Sequence, residues 1–124
     1  MSLKSIRKRD GRVVPFEKEK IVNAIYKAAQ ALGGRDYATA ERLADKVIEL
    51  AGYYYLDDYD IATVEEIQDL VEKVLVKNGH YRTAKAYILY RKQHEIMRES
   101  RQLIQNNEII ENYLAHSQLA WILN

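Results

Sequence analysis

Cysteine is absent from this sequence, proline occurs once, and glycine only five times. Without cysteine there is no disulfide framework and no thiol nucleophile, and the usual structural zinc sites lose their ligands. The glycines, at positions 11, 33, 34, 52 and 79, build neither GxxxxGK[ST] nor GxGxxG. Any nucleotide must therefore be held by side chains and turn backbone. His80, His94 and His116 lie 14 and 22 residues apart, without metal-ligand spacing. No Ser/His/Asp set or isolated acid pair stands out, so no catalysis by this chain is expected. Apolar runs fall well short of the roughly 20 residues of a membrane span, and none at the N-terminus reads as a signal peptide. A cytoplasmic protein with no membrane partner is the expectation. A formal net charge of +1 argues against a protein that coats nucleic acid, which carries a strong basic excess.

What is present is a globular composition, 48% hydrophobic and 30% charged, in a chain of 124 residues long enough for one core. The stretch from Ile6 to Leu32 organises it. Asp10-Gly11 separates two short runs and signals a tight hairpin, with a two-residue type I′ turn as the expected form. Lys4, Arg7, Lys8, Arg9 and Arg12 crowd this hairpin against a single anion, Asp10. Pro15 ends the second strand, where a missing N–H matters little. A helix follows, with Ile21, Ile25, Ala28 and Leu32 on one face and Gly33-Gly34 as its stop. Lys20 lies in its first turns, near the basic hairpin. Clustered cations repel one another unless an anion or acidic side chains sit among them. On pattern alone an anion site and a charged, solvated β-edge are balanced readings, and Lys20 could equally pair with Glu17.

Further along, Ala40, Leu43, Ala44, Val47, Ile48 and Ala51 predict a second helix over Ala38 to Ala51, closed by Gly52. Tyr53-Tyr54-Tyr55-Leu56 reads as β-prone, Asp57-Asp58 breaks it, and Tyr59-Asp60-Ile61 is a candidate third strand. Thr63-Val64-Glu65-Glu66 is a capping box opening a third helix, with Ile67, Leu70, Val71, Val74 and Leu75 inward. Seven acids lie between Asp57 and Glu72, read as a solvated face. A fourth helix starts near Tyr81 or Thr83 and runs past Arg101, with Ala84, Tyr87, Ile88 and Ile96 inward. Its Lys85 could point back at the hairpin, and Tyr87 or Tyr90 could border a base-binding slot. The fold class is α+β, mainly α: a four-helix cluster capped by a small β-hairpin or three-stranded sheet. Residues 1–105 form this domain. Residues 106–124 are too apolar for a solvated tail and read as a fold-back or the start of a connection to a further, catalytic domain.

Lys8-Arg9-Asp10-Gly11-Arg12-Val13-Val14-Pro15-Phe16, followed by Lys20-Ile21-Val22-Asn23-Ala24-Ile25, resembles the opening of the ATP-cone domain. Val64-Glu65-Glu66-Ile67-Gln68-Asp69-Leu70-Val71-Glu72 and Ala84-Lys85-Ala86-Tyr87-Ile88-Leu89-Tyr90-Arg91 resemble its later landmarks, in order and at similar spacing. The resemblance implies an allosteric activity switch, as at the N-terminus of many ribonucleotide reductases, with ATP turning the enzyme on and dATP turning it off. The third- and fourth-helix landmarks look most like the anaerobic ribonucleoside-triphosphate reductases, so this chain would be the regulatory domain alone. The same domain occurs in a transcriptional repressor behind a cysteine-rich zinc ribbon, for which this chain has no cysteines.

Carried over residue by residue, the resemblance implies that Ile6 and the hairpin backbone at Asp10 and Gly11 border the adenine. Lys8, Arg9 and Lys20 reach the phosphates, and Ile21 packs on base or ribose. Val64 and Gln68 line the nucleoside side, while Lys85 and Leu89 approach from the fourth helix. ATP or dATP is the implied effector, with magnesium as an optional companion. The implied partners are a reductase catalytic domain and, depending on the nucleotide, further copies of this chain. A basic-hairpin nucleic-acid binder and a plain helical interaction module are the competing classes. The first would show steep salt dependence without sensitivity to ATP.

Overall fold

Asp10-Gly11 does reverse the chain, by a longer turn than the two-residue one expected. In a computed structural model, which describes residues 3–55 and 61–106 and side chains as far as residue 103, two strands pair antiparallel. These are β1 (Ser5–Arg7) and β2 (Val13–Pro15), in the register Ser5↔Pro15, Ile6↔Val14 and Arg7↔Val13. The Lys8 N–H donates to the Arg12 carbonyl at 2.8 Å and the Gly11 N–H to the Lys8 carbonyl at 2.9 Å, leaving a three-residue loop. A type I′ turn needs positive φ at both central residues. The longer loop demands it of Gly11 alone, at +89°, and spares Asp10 the left-handed region. Asp10 instead accepts from the Arg12 N–H at 3.0 Å and from its guanidinium at 2.6 Å.

Four helices follow: α1 (Lys18–Gln30), α2 (Tyr37–Tyr54), α3 (Val64–Lys77) and α4 (Tyr81–Asn106). The architecture is the mainly helical α+β class expected, with a sheet of two strands among the described residues. At the end of α1 the Gly34 N–H donates to the Ala29 carbonyl and the Gly33 N–H to that of Gln30, both at 2.9 Å, with Gly33 at φ +86°. That pattern satisfies carbonyls the helix would otherwise leave open. Asp36 caps α2, accepting from the Thr39 N–H at 3.0 Å and its hydroxyl at 2.6 Å. The expected box opens α3: the Glu66 N–H donates to the Thr63 hydroxyl at 3.1 Å, and the Thr63 N–H to the Glu66 carboxylate at 3.0 Å.

Backbone contacts group Met1–Tyr87 into one unit and Ile88–Asn124 into a second. The core of the first buries Ile21, Val22, Ile25 and Ala28 of α1 against Leu43, Ala44 and Val47 of α2. All five apolar residues expected inward on α3 are buried too, with Ala84 and Tyr87 at the start of α4. In the described part of the second unit, the Tyr90 and His94 rings lie 4.2 Å apart on one face of α4.

Four expectations are corrected. Leu32 is not an inward residue of α1; it follows the last helical turn and is 41% exposed. Gly52 does not end α2, which runs on through Tyr53 and Tyr54. A helical glycine costs only about 1 kcal/mol, and the extra turn lets the Tyr55 hydroxyl reach the Glu66 carboxylate at 2.8 Å. Ile88 is exposed, because Ala84 and Tyr87 take the inward positions of that turn. Ile61 belongs to no strand: β1 is joined from that side by a bridge between Arg7 and Thr63, with the Arg7 N–H donating to the Ala62 carbonyl at 2.8 Å. Leu56, the Asp57-Asp58 break, the other strand candidates Tyr59 and Asp60, and the tail beyond residue 106 lie outside the described residues.

Candidate functional site

The bond from Arg7 to Ala62 brings the basic hairpin to the start of α3, and the space between them is a cavity of ≈ 220 Å³. Ile6 of β1 and Val14 and Pro15 of β2 line it, and Phe16 and Glu17 follow at the strand's end. α1 contributes Lys20, Ile21 and Ala24. α3 contributes Val64, Ile67, Gln68 and Val71, the i, i+3, i+4, i+7 positions of one helical face. Tyr87 of α4 completes the apolar lining.

The polar groups of the lining are few and mostly cationic. Lys8 has no acidic partner among the described residues. The Arg9 guanidinium meets the Glu65 carboxylate at 2.7 Å, and the Lys20 ammonium meets Glu17 at 3.4 Å. Two further hairpin cations are used in the turn itself. Arg7 donates to the Gly11 carbonyl at 2.9 Å, and Arg12 holds the Asp10 carboxyl below its usual range through its backbone N–H and its guanidinium. Gln68 supplies the neutral amide of the lining, and its Oε1 is buried without a hydrogen-bond donor among the described residues. A desolvated acceptor left open costs about 1–3 kcal/mol. A ligand bringing a donor to that amide would recover it.

Of the residues named from sequence, Ile6, Lys8, Arg9, Lys20, Ile21, Val64 and Gln68 line this one cavity. Asp10 and Gly11 are absent from the lining and serve the turn; Lys85 is exposed on the first part of α4, and Leu89 is exposed within the second unit. Sequence reasoning did not name Phe16, Ala24, Ile67, Val71 or Glu65 for the site. For Ile67 and Val71 the signal was available, because they share a helical face with Val64 and Gln68. Glu65 carried no such signal, since its pairing with Arg9 depends on how the hairpin meets α3.

The described residues hold no cluster of three or more His, Cys, Asp or Glu that would bind a metal ion, and none of their helices is long and apolar enough to cross a membrane. A mostly apolar cavity with three cations at its edge suits a ligand with a flat apolar part and an anionic chain. The sequence has relatives among known proteins. A vitamin B12-dependent ribonucleoside-diphosphate reductase of Thermoplasma acidophilum is 46% identical over 107 residues, covering 82% of this chain and 13% of the relative. An anaerobic ribonucleoside-triphosphate reductase of Salmonella typhimurium is 36% identical over 96 residues, covering 77% and 13%. A ribonucleoside-diphosphate reductase alpha subunit of Chlamydia pneumoniae is 37% identical over 95 residues, covering 73% and 9%. The chain thus spans a small part of each of these relatives. Residues 4–96 match the family model of the ATP cone domain, so the chain belongs to the ATP-cone family.

Proposed function

We propose that this chain is an adenine-nucleotide sensor that takes ATP or dATP in the cavity between the hairpin and α3 and switches the activity of a ribonucleotide reductase. Membership of the ATP-cone family makes it a nucleotide-binding regulatory domain in general terms. The choice of effectors and the switching role are the proposal. The observation that carries it is the juxtaposition of Lys8, Arg9 and Lys20 with an apolar cavity containing Gln68's open acceptor. Its ≈ 220 Å³ is below the roughly 300–1,000 Å³ of pockets that enclose a whole drug-sized ligand. That size suits a base and ribose inside with phosphates outside among the cations. Adenine's exocyclic amine is a donor of the kind Gln68 lacks. Charge-assisted bonds contribute roughly 1.5–3 kcal/mol each, so three cations can hold a triphosphate without a glycine-rich loop. Magnesium, where present, would bridge phosphate oxygens, with few protein ligands required of it.

The relatives include B12-dependent and anaerobic reductases, so they speak for reductases as a class and not for the anaerobic kind. The reductase's catalytic domain is the proposed partner. The test is thermal melting with ATP, dATP, GTP and no ligand. ATP and dATP at about 100 times their dissociation constants should each add ~2.7 kcal/mol of stability, with no steady release of phosphate. Equal shifts with GTP, or none with any nucleotide, would overturn the reading.

A further inference from the structure

We propose that Glu65 is a built-in competitor for the phosphate chain, holding Arg9 in the empty site and setting the affinity for polyphosphate ligands without affecting recognition of the base. The inference rests on the nucleotide reading of the cavity. Arg9 Nε lies 2.7 Å from Glu65 Oε1, and the two side chains are 38% and 46% exposed. Arg9 lines the cavity, whereas Glu65 stands outside the lining, beside Val64 on the first turn of α3. The carboxylate's place is set by the fold. Thr63 and Glu66 cap that turn, and the Arg7 N–H ties the hairpin to Ala62 immediately before it.

A phosphate oxygen and a carboxylate oxygen ask the same bond of a guanidinium. A ligand whose phosphate reaches Arg9 must therefore displace Glu65, and the displaced carboxylate stays close, on a rigid helix, repelling the phosphates. Lys8 presents no such obstacle. The contact between Lys20 and Glu17 is longer, 3.4 Å, and more exposed, so it yields more readily. Among the described acidic residues that pair with the cavity's cations, Glu65 thus opposes the phosphate chain most strongly. Adenosine, lacking phosphate, is indifferent to it. The plain structural role for Glu65, a carboxylate favoured at a helix N-terminus, would show in stability and not in a dependence on phosphate number.

The test is Glu65→Gln in the full chain, titrated calorimetrically with adenosine, AMP, ADP and ATP, first without magnesium and then with it. ATP should bind about three- to tenfold more tightly than to the unsubstituted chain. Adenosine should be unchanged, and the gain should first appear at the phosphate that reaches Arg9. ATP affinity that is unchanged or lower overturns the proposal, as does an equal gain for adenosine. A loss confined to the magnesium series also overturns it, by making Glu65 a metal ligand. Should the unsubstituted chain bind neither adenosine nor ATP, the nucleotide reading itself fails. That result is distinct from normal ATP binding with no gain in the variant.

Discussion

The Tyr55 hydroxyl donates to the Glu66 carboxylate at 2.8 Å, joining the first residue after α2 to the first turn of α3. The other oxygen of that carboxylate accepts from the Thr63 N–H at 3.0 Å. One acidic side chain thus fixes where α3 begins. Val64 and Gln68, which project from this turn and the next, inherit their places in the cavity from it.

Thr63→Ala should therefore weaken both stability and binding. Losing an N-cap hydroxyl costs about 1 kcal/mol, which for a domain of this size lowers Tm by roughly 4–8 °C. Nucleotide affinity should fall as well, because the turn that carries Val64 loosens. Circular-dichroism melting and calorimetric titration measure the two separately. Unchanged affinity with lowered Tm would show that the cap does not position the site.

The same bonds predict an acid-sensitive step. The Thr63 N–H first, and then the Tyr55 hydroxyl, hold the Glu66 carboxyl below its ordinary value of 4.5. Bonds from the Thr39 hydroxyl and N–H hold Asp36 below 3.8. A carboxyl whose folded pKa is depressed stabilises the fold above its unfolded value, and that contribution is lost as pH falls through the folded one. Urea midpoints should be level from pH 7 to about 5 for these groups and decline below 4.5. Glu66→Gln and Asp36→Asn should each flatten the decline. An unaltered acid limb in both variants would locate the sensitivity in other carboxyls.

Much of this could be read from the chain. The box at Thr63 and Glu66, the buried face of α3, and the crowding of cations around Asp10 all depend on short spacings, which helix and strand periodicity translate directly into position. What was not legible depends on long-range contacts. The three-residue turn is set by the pairing of Arg7 with Val13, and the helical state of Gly52 by a tyrosine reaching Glu66, 11 residues further along the chain. The cations of the site were visible because they are neighbours in sequence. Glu65 was not visible as their counterpart, because only the bond from Arg7 to Ala62 brings it to Arg9.

Lys8→Ala is the cleanest probe of the phosphate contacts. Lys8 has no acidic partner among the described residues, so its loss removes no ion pair from the empty protein. ATP should bind about tenfold or more less tightly, one charge-assisted contact having gone. Stability without ligand should stay level or rise as repulsion among the cations eases. Arg9→Ala and Lys20→Ala should weaken ATP binding similarly, each also freeing a carboxylate, Glu65 or Glu17. A variant that loses stability but keeps its affinity would mark its residue as structural.

Gln68→Met separates fold from function in the opposite direction. The substitution keeps the volume and removes a buried acceptor that lacks a donor, an arrangement costing about 1–3 kcal/mol. The empty protein should gain stability while ATP affinity falls. Calorimetry and melting on one preparation check both signs. If affinity is kept, Gln68 does not meet the base, and the open acceptor needs another partner.

The last prediction is that nucleotide identity changes association. A switch works only through differential affinity for two states, and a chain of 124 residues offers few large internal movements. The second state is then a different packing between copies or against a catalytic partner. Tyr53 and Tyr54 at the end of α2 are 73% and 51% exposed. That is more aromatic area than the end of a solvated helix needs, and the sequence from Ile109 to Leu123 is itself apolar. The chain should self-associate more with dATP than with ATP at micromolar concentration, measured by sedimentation. Tyr53→Ser with Tyr54→Ser, and separately removal of the residues beyond Asn106, assign the contact to one surface or the other. A shortened chain that binds both nucleotides and stays monomeric with each would place the association in the tail. An intact chain that binds both and stays monomeric would end the self-association model, leaving a catalytic partner as the body against which the switch acts.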